Sequence, residues 1–171
     1  MRLMIIAWLV FLAMPTFAKV DNQSEQHFVI KHEFTVDIPV TKVFQKFKQV
    51  ELWWEGSHSF TGDASNLYFD FDKQRCYCEQ IPTGGFVEHL SVIHVTDNQK
   101  VVFSGGLGPL QDHPVSGKLI WQFEQQDNKT KVSLEYRVFG FIVGGMDKWP
   151  SAVDYVLGVQ VKRLEQLLTK K

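Results

Sequence analysis

The sequence has little cysteine and little charge imbalance, and both shortages exclude classes of function. Cys76 and Cys78 are the two cysteines among 171 residues. A structural zinc site requires four ligands, so these two thiols would need two suitably spaced histidines to complete one. Lysine and arginine total 18 against 19 aspartate and glutamate, a formal net charge of −1. A chain without a basic excess is a poor match for a phosphate backbone. We therefore expect no metal, no cofactor and no nucleic-acid partner.

The sequence also lacks an apolar run long enough to span a bilayer, which takes roughly 20 residues. Residues 3–13 form a run of eleven apolar residues that follows Arg2 and precedes Ala18. This is the pattern of a secretory signal peptide, with an uncleaved anchor or a buried helix as the alternative. We predict a signal peptide over 1–18, a mature tail over 19–26 and one domain over 27–171. The mature protein is then periplasmic or secreted, with no stable membrane anchor.

The mature chain alternates between apolar and polar residues in several short stretches. Residues 28–38, FVIKHEFTVDI, form the first half-buried strand, and VTKVFQKF after Pro39 has helical spacing. From Val153 onward apolar residues fall on one face of a long helix, which Asp147 is expected to cap with Pro150 in the first turn. The further strands are predicted at 67–71, 75–81, 86–95, 100–105, 115–125 and 130–142, separated by turn residues.

These elements predict an α+β fold. About seven antiparallel strands form a sheet that curls around one long C-terminal helix, with two short helices after the first strand. The mature chain of 153 residues (171 minus 18) is long enough to bury a good core. Its 14 phenylalanines and 5 tryptophans can fill that core or line a pocket.

Five stretches of the sequence resemble one bacterial protein group. They read HEFTVDIPVTKVF, WWEGSHSFTGD, CYCEQIPTGGFVEH, GGLGPLQ and VDYVLGVQVKRL. In this order they resemble the SRPBCC superfamily, also called START-like, which includes polyketide cyclases and activators of chaperone ATPases. The resemblance runs from about residue 27 to 168 and implies a helix-grip fold with an internal cavity.

The resemblance implies three functions. The first is an exported protein that binds a small hydrophobic or lipid-like molecule in the cavity. The second is a cyclase- or hydrolase-type enzyme that uses a cavity histidine as general base. The third is a protein-interaction module, although the chaperone ATPases of the related branch are cytosolic and this chain is expected to be exported.

His32, His89 and Tyr136 fall on apolar strand faces, and the resemblance places Trp53 and Trp54 near the cavity. A few fixed polar groups in an apolar cavity can orient a ligand, whereas the alternative for each histidine is a core residue that is hydrogen-bonded to backbone. The candidate cavity residues are His32, Trp53, Trp54, Glu79, His89, Trp121 and Tyr136.

The stretch CYCEQIPTGGFVEH permits several interpretations. Cys76 and Cys78 share a strand face, so they could be two buried thiols, a disulfide, or two ligands of a soft metal with His89 as the third. The ligand count disfavours a metal site. A disulfide is awkward because an extended strand holds these Cα atoms about 6.5–7 Å apart. The strand register decides whether Glu79 or a cysteine stands opposite His89.

Overall fold

The domain is built on one open antiparallel sheet. The computed structural model describes residues 19–24 and 26–170, so the predicted signal peptide lies outside the described residues. The strands are β1 (Lys19–Gln23), β2 (His27–Val36), β3 (Leu67–Asp70), β4 (Cys76–Gln80), β5 (Phe86–Thr96), β6 (Lys100–Ser104), β7 (Val115–Gln126) and β8 (Lys129–Gly140). Their order in the sheet is β1-β2-β8-β7-β6-β5-β4-β3, and the sheet does not close into a barrel.

Two α-helices and four short 3-10 helices complete the fold within the described residues. Helix α1 spans Val40–Phe47, and α2 spans Pro150–Thr169. The predicted α+β class is confirmed: an antiparallel sheet curls around a long C-terminal helix, with short helices after its first predicted strand. No helix within the described residues is long and apolar enough to cross a membrane. The 3-10 helices are Val50–Leu52, Gly56–His58, Ala64–Asn66 and Gly108–Asp112.

Two local features differ from the sequence predictions. Residues 19–23 of the predicted tail pair with β2 as an edge strand, although the polar KVDNQ stretch shows no alternation. The capping role predicted for Asp147 is wrong: Trp149 occupies the cap position of α2, without a side-chain cap hydrogen bond. Asp147 instead folds back against Gly145, where the backbone has a positive φ of 92°. Pro150 lies in the first turn of α2 as predicted.

The core lies between the concave face of the sheet and the two helices. Phe47 of α1 packs against Trp121 of β7 with ring centroids 5.2 Å apart, and Trp53 stacks on Phe47 at 5.8 Å. The indole N–H of Trp53 donates to the Phe47 carbonyl at 3.0 Å, so this buried ring has no unsatisfied donor. The large rings therefore fill the space between α1 and the sheet. Helix α2 adds Leu157, Val161, Leu164 and Leu168 to this core.

The register of β4 and β5 is interrupted at His89. Tyr77 stands opposite Leu90, and Cys78 stands opposite Glu88, which leaves His89 as an extra residue in β5. Such a β-bulge turns two successive side chains towards the same side, and both His89 and Leu90 are buried. Neither Glu79 nor a cysteine is therefore the direct cross-strand partner of His89.

The two cysteines form a disulfide. Their Cα atoms lie 5.4 Å apart, closer than in a fully extended strand and within the usual range for a disulfide. The structure therefore selects the bridged form among the interpretations of CYCEQIPTGGFVEH. Within residues 19–24 and 26–170, no group of three or more histidine, cysteine or acidic side chains has the arrangement of a metal site.

Candidate functional site: a cavity beside the C-terminal helix

A cavity of about 370 Å³ lies between the start of α2, the chain around residues 54–60 and the loop at 107–110. This volume is within the range of small-molecule sites, which is about 300–1,000 Å³. Its wall is mainly apolar, with two histidines and two serines. The lining residues are Trp54, Ser57, His58, Ser59, Phe60, His89, Leu107, Gly108, Pro109, Leu110, Trp149, Ala152, Val153, Val156 and Leu157.

Residues 53–61, which we call the wall segment, are fixed to α2 by two polar side chains. The fully buried Gln160 accepts a hydrogen bond from the Glu55 N–H through its Oε1, at 2.7 Å. Arg163 donates from Nε to the Trp53 carbonyl and from Nη1 to a Glu55 carboxylate oxygen, both at 2.9 Å. Because each contact satisfies a backbone group or an ion pair, this part of the wall has a defined position.

The other end of the wall segment is fixed by Glu79 from β4. The Glu79 carboxylate is fully buried and accepts the backbone N–H groups of Phe60 at 3.0 Å and Thr61 at 2.6 Å. Burial alone would raise the pKa of Glu79, but the hydrogen bonds from Thr61, Phe60 and His89 outweigh it and lower the pKa. Glu79 is therefore an anionic acceptor at neutral pH.

His89 contacts the Glu79 carboxylate and also lines the cavity. Its Nε2 lies 2.8 Å from Glu79 Oε2, and its ring is stacked on Tyr77 with centroids 4.7 Å apart. Phe60 contacts the same ring at 5.6 Å. Burial lowers the pKa of His89 more than the neighbouring Glu79 carboxylate raises it, so the net shift is downward. His89 is therefore neutral at pH 7.

His58 is the second histidine of the cavity wall. Its Nδ1 lies 3.0 Å from Nε2 of Gln160, and its carbonyl accepts the indole N–H of Trp54 at 3.0 Å. Its ring is 6.2 Å from that of the exposed Tyr155. These contacts fix the position of His58 between the wall segment and α2.

Tyr136 of β8 positions the opposite wall of the cavity. Its hydroxyl accepts the Leu107 N–H at 2.8 Å and donates to the Gly105 carbonyl at 3.0 Å. Burial raises the pKa of Tyr136, and the Leu107 N–H offsets only part of that effect. The close approach needs glycine at position 117, because a side chain there would meet both Gly105 and Tyr136.

The structure separates the seven candidate residues into four groups. Trp54 and His89 line the cavity, and Glu79 and Tyr136 lie behind its walls as anchors. Trp53 and Trp121 are core residues that contact each other at 5.8 Å. His32 packs under α2, where its ring faces Gly158 and its Nε2 lies 2.9 Å from Asp154 Oδ1.

Sequence analysis did not select His58, Phe60 or Trp149, all of which line the cavity. The histidine and the phenylalanine are in an irregular segment that has no hydrophobic period. One available signal was Gln160, a polar residue on the apolar face of α2, because a buried amide needs partners. His89 also borders a second depression of about 260 Å³, whose lining includes Glu88, Ser91, Ser104, Gln111 and His113.

Solved structures with the same fold cover most of this chain. An uncharacterised protein from Rhizobium leguminosarum aligns with a TM-score of 0.57 at 18% identity, over 91% of this chain and 100% of its own. A protein from Mesorhizobium loti gives 0.56 at 18%, over 84% and 99%. DynU16, from the dynemicin biosynthetic locus, gives 0.56 at 16%, over 82% of this chain and 46% of its own. At 16–18% sequence identity, these structural similarities establish the fold alone.

No protein-family model and no curated protein matches the sequence. The assignment of function therefore depends on the geometry of the cavity.

Proposed function

We propose that this domain binds a small hydrophobic molecule in the cavity beside α2. The observation that carries the proposal is the 370 Å³ space itself, lined by apolar side chains from three separate parts of the chain. Buried polar groups hold those parts in place, so the cavity does not have to form when the ligand arrives. A pre-formed, mostly apolar site favours an apolar ligand with a few polar groups.

A cavity-filling substitution tests this proposal. Val156 lines the cavity, whereas Val159 on the same helix does not, and both are half-buried. We expect the uncharged naphthalene dye N-phenyl-1-naphthylamine to bind the wild-type protein at one saturable site. The Val156→Phe variant should bind the dye at least about tenfold more weakly, because the new ring occupies the site.

The control for this experiment is Val159→Phe, which makes the same change outside the cavity. Near-ultraviolet circular dichroism verifies that both variants retain native packing. Equal dye affinity in the Val156→Phe variant and the wild-type protein would eliminate this cavity as the binding site.

An enzyme is the second candidate function, and the Glu79–His89 contact favours it. A carboxylate that orients a histidine is a common arrangement for a general base. Within the described residues, no serine, threonine or cysteine side chain is hydrogen-bonded to His89. Ser59, a hydroxyl of the cavity wall, donates its proton to the Gly56 carbonyl at 2.8 Å. Binding therefore remains the first proposal, and a reaction would need a substrate that water can attack.

The proposed family is the SRPBCC superfamily, and the proposed location is outside the cytoplasm. The fold and the cavity support the family, and the position of DynU16 in a biosynthetic locus is compatible with a small-molecule ligand. The Cys76–Cys78 disulfide supports export, because disulfides persist mainly in oxidising compartments.

A further inference from the structure

The protonation of His89 follows from the partners of Glu79. The carboxylate accepts two backbone N–H groups and has a lowered pKa, so it has no proton to donate. The proton of the short Glu79–His89 contact must therefore lie on Nε2 of His89, and Nδ1 has a free lone pair.

That lone pair remains accessible. No group within the described residues forms a hydrogen bond with Nδ1 of His89. The described side-chain atoms that are sealed from solvent without a partner are Nε2 of His32, Oη of Tyr77 and Oδ1 of Asp154. Nδ1 of His89 is not among them, although the whole residue is only 4% exposed. The ring borders both the cavity and the second depression, and we take the apolar cavity as the route by which a ligand reaches this acceptor.

His58 has the same tautomer, but here Nδ1 is the nitrogen that is hydrogen-bonded within the protein. Gln160 uses its Oε1 to accept from the Glu55 N–H, which identifies its other terminal atom as the amide nitrogen. This nitrogen donates to the Val156 carbonyl at 3.1 Å and to Nδ1 of His58 at 3.0 Å. The proton of neutral His58 therefore lies on Nε2, which is a donor without a partner in the described chain.

We propose that the cavity selects an apolar molecule that bears a hydroxyl group, an alcohol or a phenol. The ligand O–H donates to Nδ1 of His89, and Nε2–H of His58 donates to a ligand oxygen. This inference rests on the proposed binding function and specifies the chemistry of the ligand.

Other ligand classes fit the two nitrogens less well. A pure hydrocarbon would cover the lone pair of His89 without a donor, which costs free energy in an apolar site. A carboxylate has no proton for that lone pair, and no lysine or arginine lines the described cavity to balance its charge. An ammonium group would be buried without a free carboxylate, because Glu79 is already occupied by three donors.

Three matched probes test the inference: 2-naphthol, 2-methoxynaphthalene and naphthalene. The three molecules share one ring system. The hydroxyl group of 2-naphthol donates and accepts a hydrogen bond, the ether oxygen of 2-methoxynaphthalene only accepts one, and naphthalene does neither. We expect the wild-type protein to bind 2-naphthol about tenfold more tightly than 2-methoxynaphthalene, the ratio that one well-placed hydrogen bond supplies. Isothermal titration calorimetry measures the three dissociation constants.

Two substitutions each remove the ring nitrogen that is proposed to contact the ligand and keep the hydrogen bond that the other ring nitrogen makes within the protein. His89→Gln retains a donor near Nε2 for Glu79 but has no acceptor at Nδ1, and it should abolish the preference for 2-naphthol over 2-methoxynaphthalene. His58→Asn retains an acceptor near Nδ1 for Gln160 but has no Nε2–H. It should weaken both oxygen-containing probes by a similar factor and leave naphthalene unchanged.

The outcomes distinguish this inference from the function on which it depends. If naphthalene binds in a manner sensitive to Val156→Phe but the wild-type protein does not prefer 2-naphthol, the hydroxyl inference is wrong and the binding function stands. A preference for 2-naphthol that survives His89→Gln would also overturn the inference. If none of the three probes, nor N-phenyl-1-naphthylamine, binds at the cavity, the binding function itself fails.

Discussion

Two histidine–carboxylate pairs lie in this domain at nearly the same distance, but their surroundings differ. His89 and Glu79 are 2.8 Å apart at the cavity, and His32 and Asp154 are 2.9 Å apart between β2 and α2. The side chain of Glu79 is fully buried, whereas that of Asp154 is 23% exposed. Glu79 accepts two backbone N–H groups in addition to the histidine. The closest atoms of the second pair, although near, lack a properly aligned hydrogen bond.

The difference shows that distance alone does not define a functional pair. A carboxylate with several donors is held in its charged form and in one orientation, so it can fix the tautomer of its histidine. Asp154 and His32 lack this support. We infer that the Glu79–His89 pair positions the wall segment of the cavity, whereas the His32–Asp154 pair is a contact between the packed elements β2 and α2.

The largest expected effect is the loss of Glu79. The substitution Glu79→Ala leaves the N–H groups of Phe60 and Thr61 and the ring of His89 without their acceptor. We expect the free energy of unfolding to fall by about 3–5 kcal/mol, measured by urea denaturation. Asp154→Ala should cost about 1 kcal/mol or less, because a partly exposed and poorly aligned pair contributes little. Equal losses in the two variants would contradict the distinction between the pairs.

The two buried tyrosines extend the comparison to hydroxyl groups. The Tyr136 hydroxyl makes two hydrogen bonds, whereas that of Tyr77 is sealed in the core without one. We expect Tyr136→Phe to lower the free energy of unfolding by about 1–2 kcal/mol, since Leu107 N–H and Gly105 O lose their partner. Tyr77→Phe should be neutral or stabilising by up to about 1 kcal/mol, because it removes an unsatisfied polar atom.

These two phenylalanine variants are matched controls for each other, since both delete one buried hydroxyl. Thermal unfolding followed by circular dichroism gives their order of stability. A Tyr77→Phe variant that is less stable than Tyr136→Phe would show that the core hydroxyl has a partner in solution, such as a buried water molecule.

The fold was predictable because its signals are periodic. The alternation in residues 28–38 and the helical spacing after Val153 each follow from the burial of one face, and both elements are present. The position of Asp147 was not predictable by the same means, because a cap depends on the local backbone. The β-bulge at His89 was not predicted either. A bulge adds one residue to a strand, and its only effect on the sequence pattern is that the apolar positions change from odd to even numbers or the reverse.

The site was less predictable than the fold because its residues come together through irregular backbone. His58 and Phe60 lie in a segment without a hydrophobic period, and their positions depend on Gln160 and Glu79, respectively. Those anchors are more than 15 positions away in the sequence. Pattern analysis could select His89 from its apolar face but could not pair it with Glu79, because that pairing required the register.

The smallest expected effect is the pH dependence that His89 adds to stability. Its pKa in the folded protein is below its usual value of 6.5, so the unfolded chain binds a proton more readily than the folded chain. Stability should therefore decrease as the pH falls below about 6.5, and Glu79, with a pKa below its usual 4.5, should add a second decrease in more acidic solution. In the His89→Gln variant the first decrease should disappear and the second remain.

The control is His94→Gln, which makes the same change at an exposed histidine of β5. It should retain the decrease below pH 6.5, because His89 is still present. Urea denaturation between pH 4 and pH 8 compares the three proteins. If His89→Gln keeps the wild-type slope between pH 6.5 and pH 5, His89 is not held neutral by burial. The lone pair that the cavity offers to a ligand would then carry a proton at mildly acidic pH, and the two histidine–carboxylate pairs would differ less than their surroundings indicate.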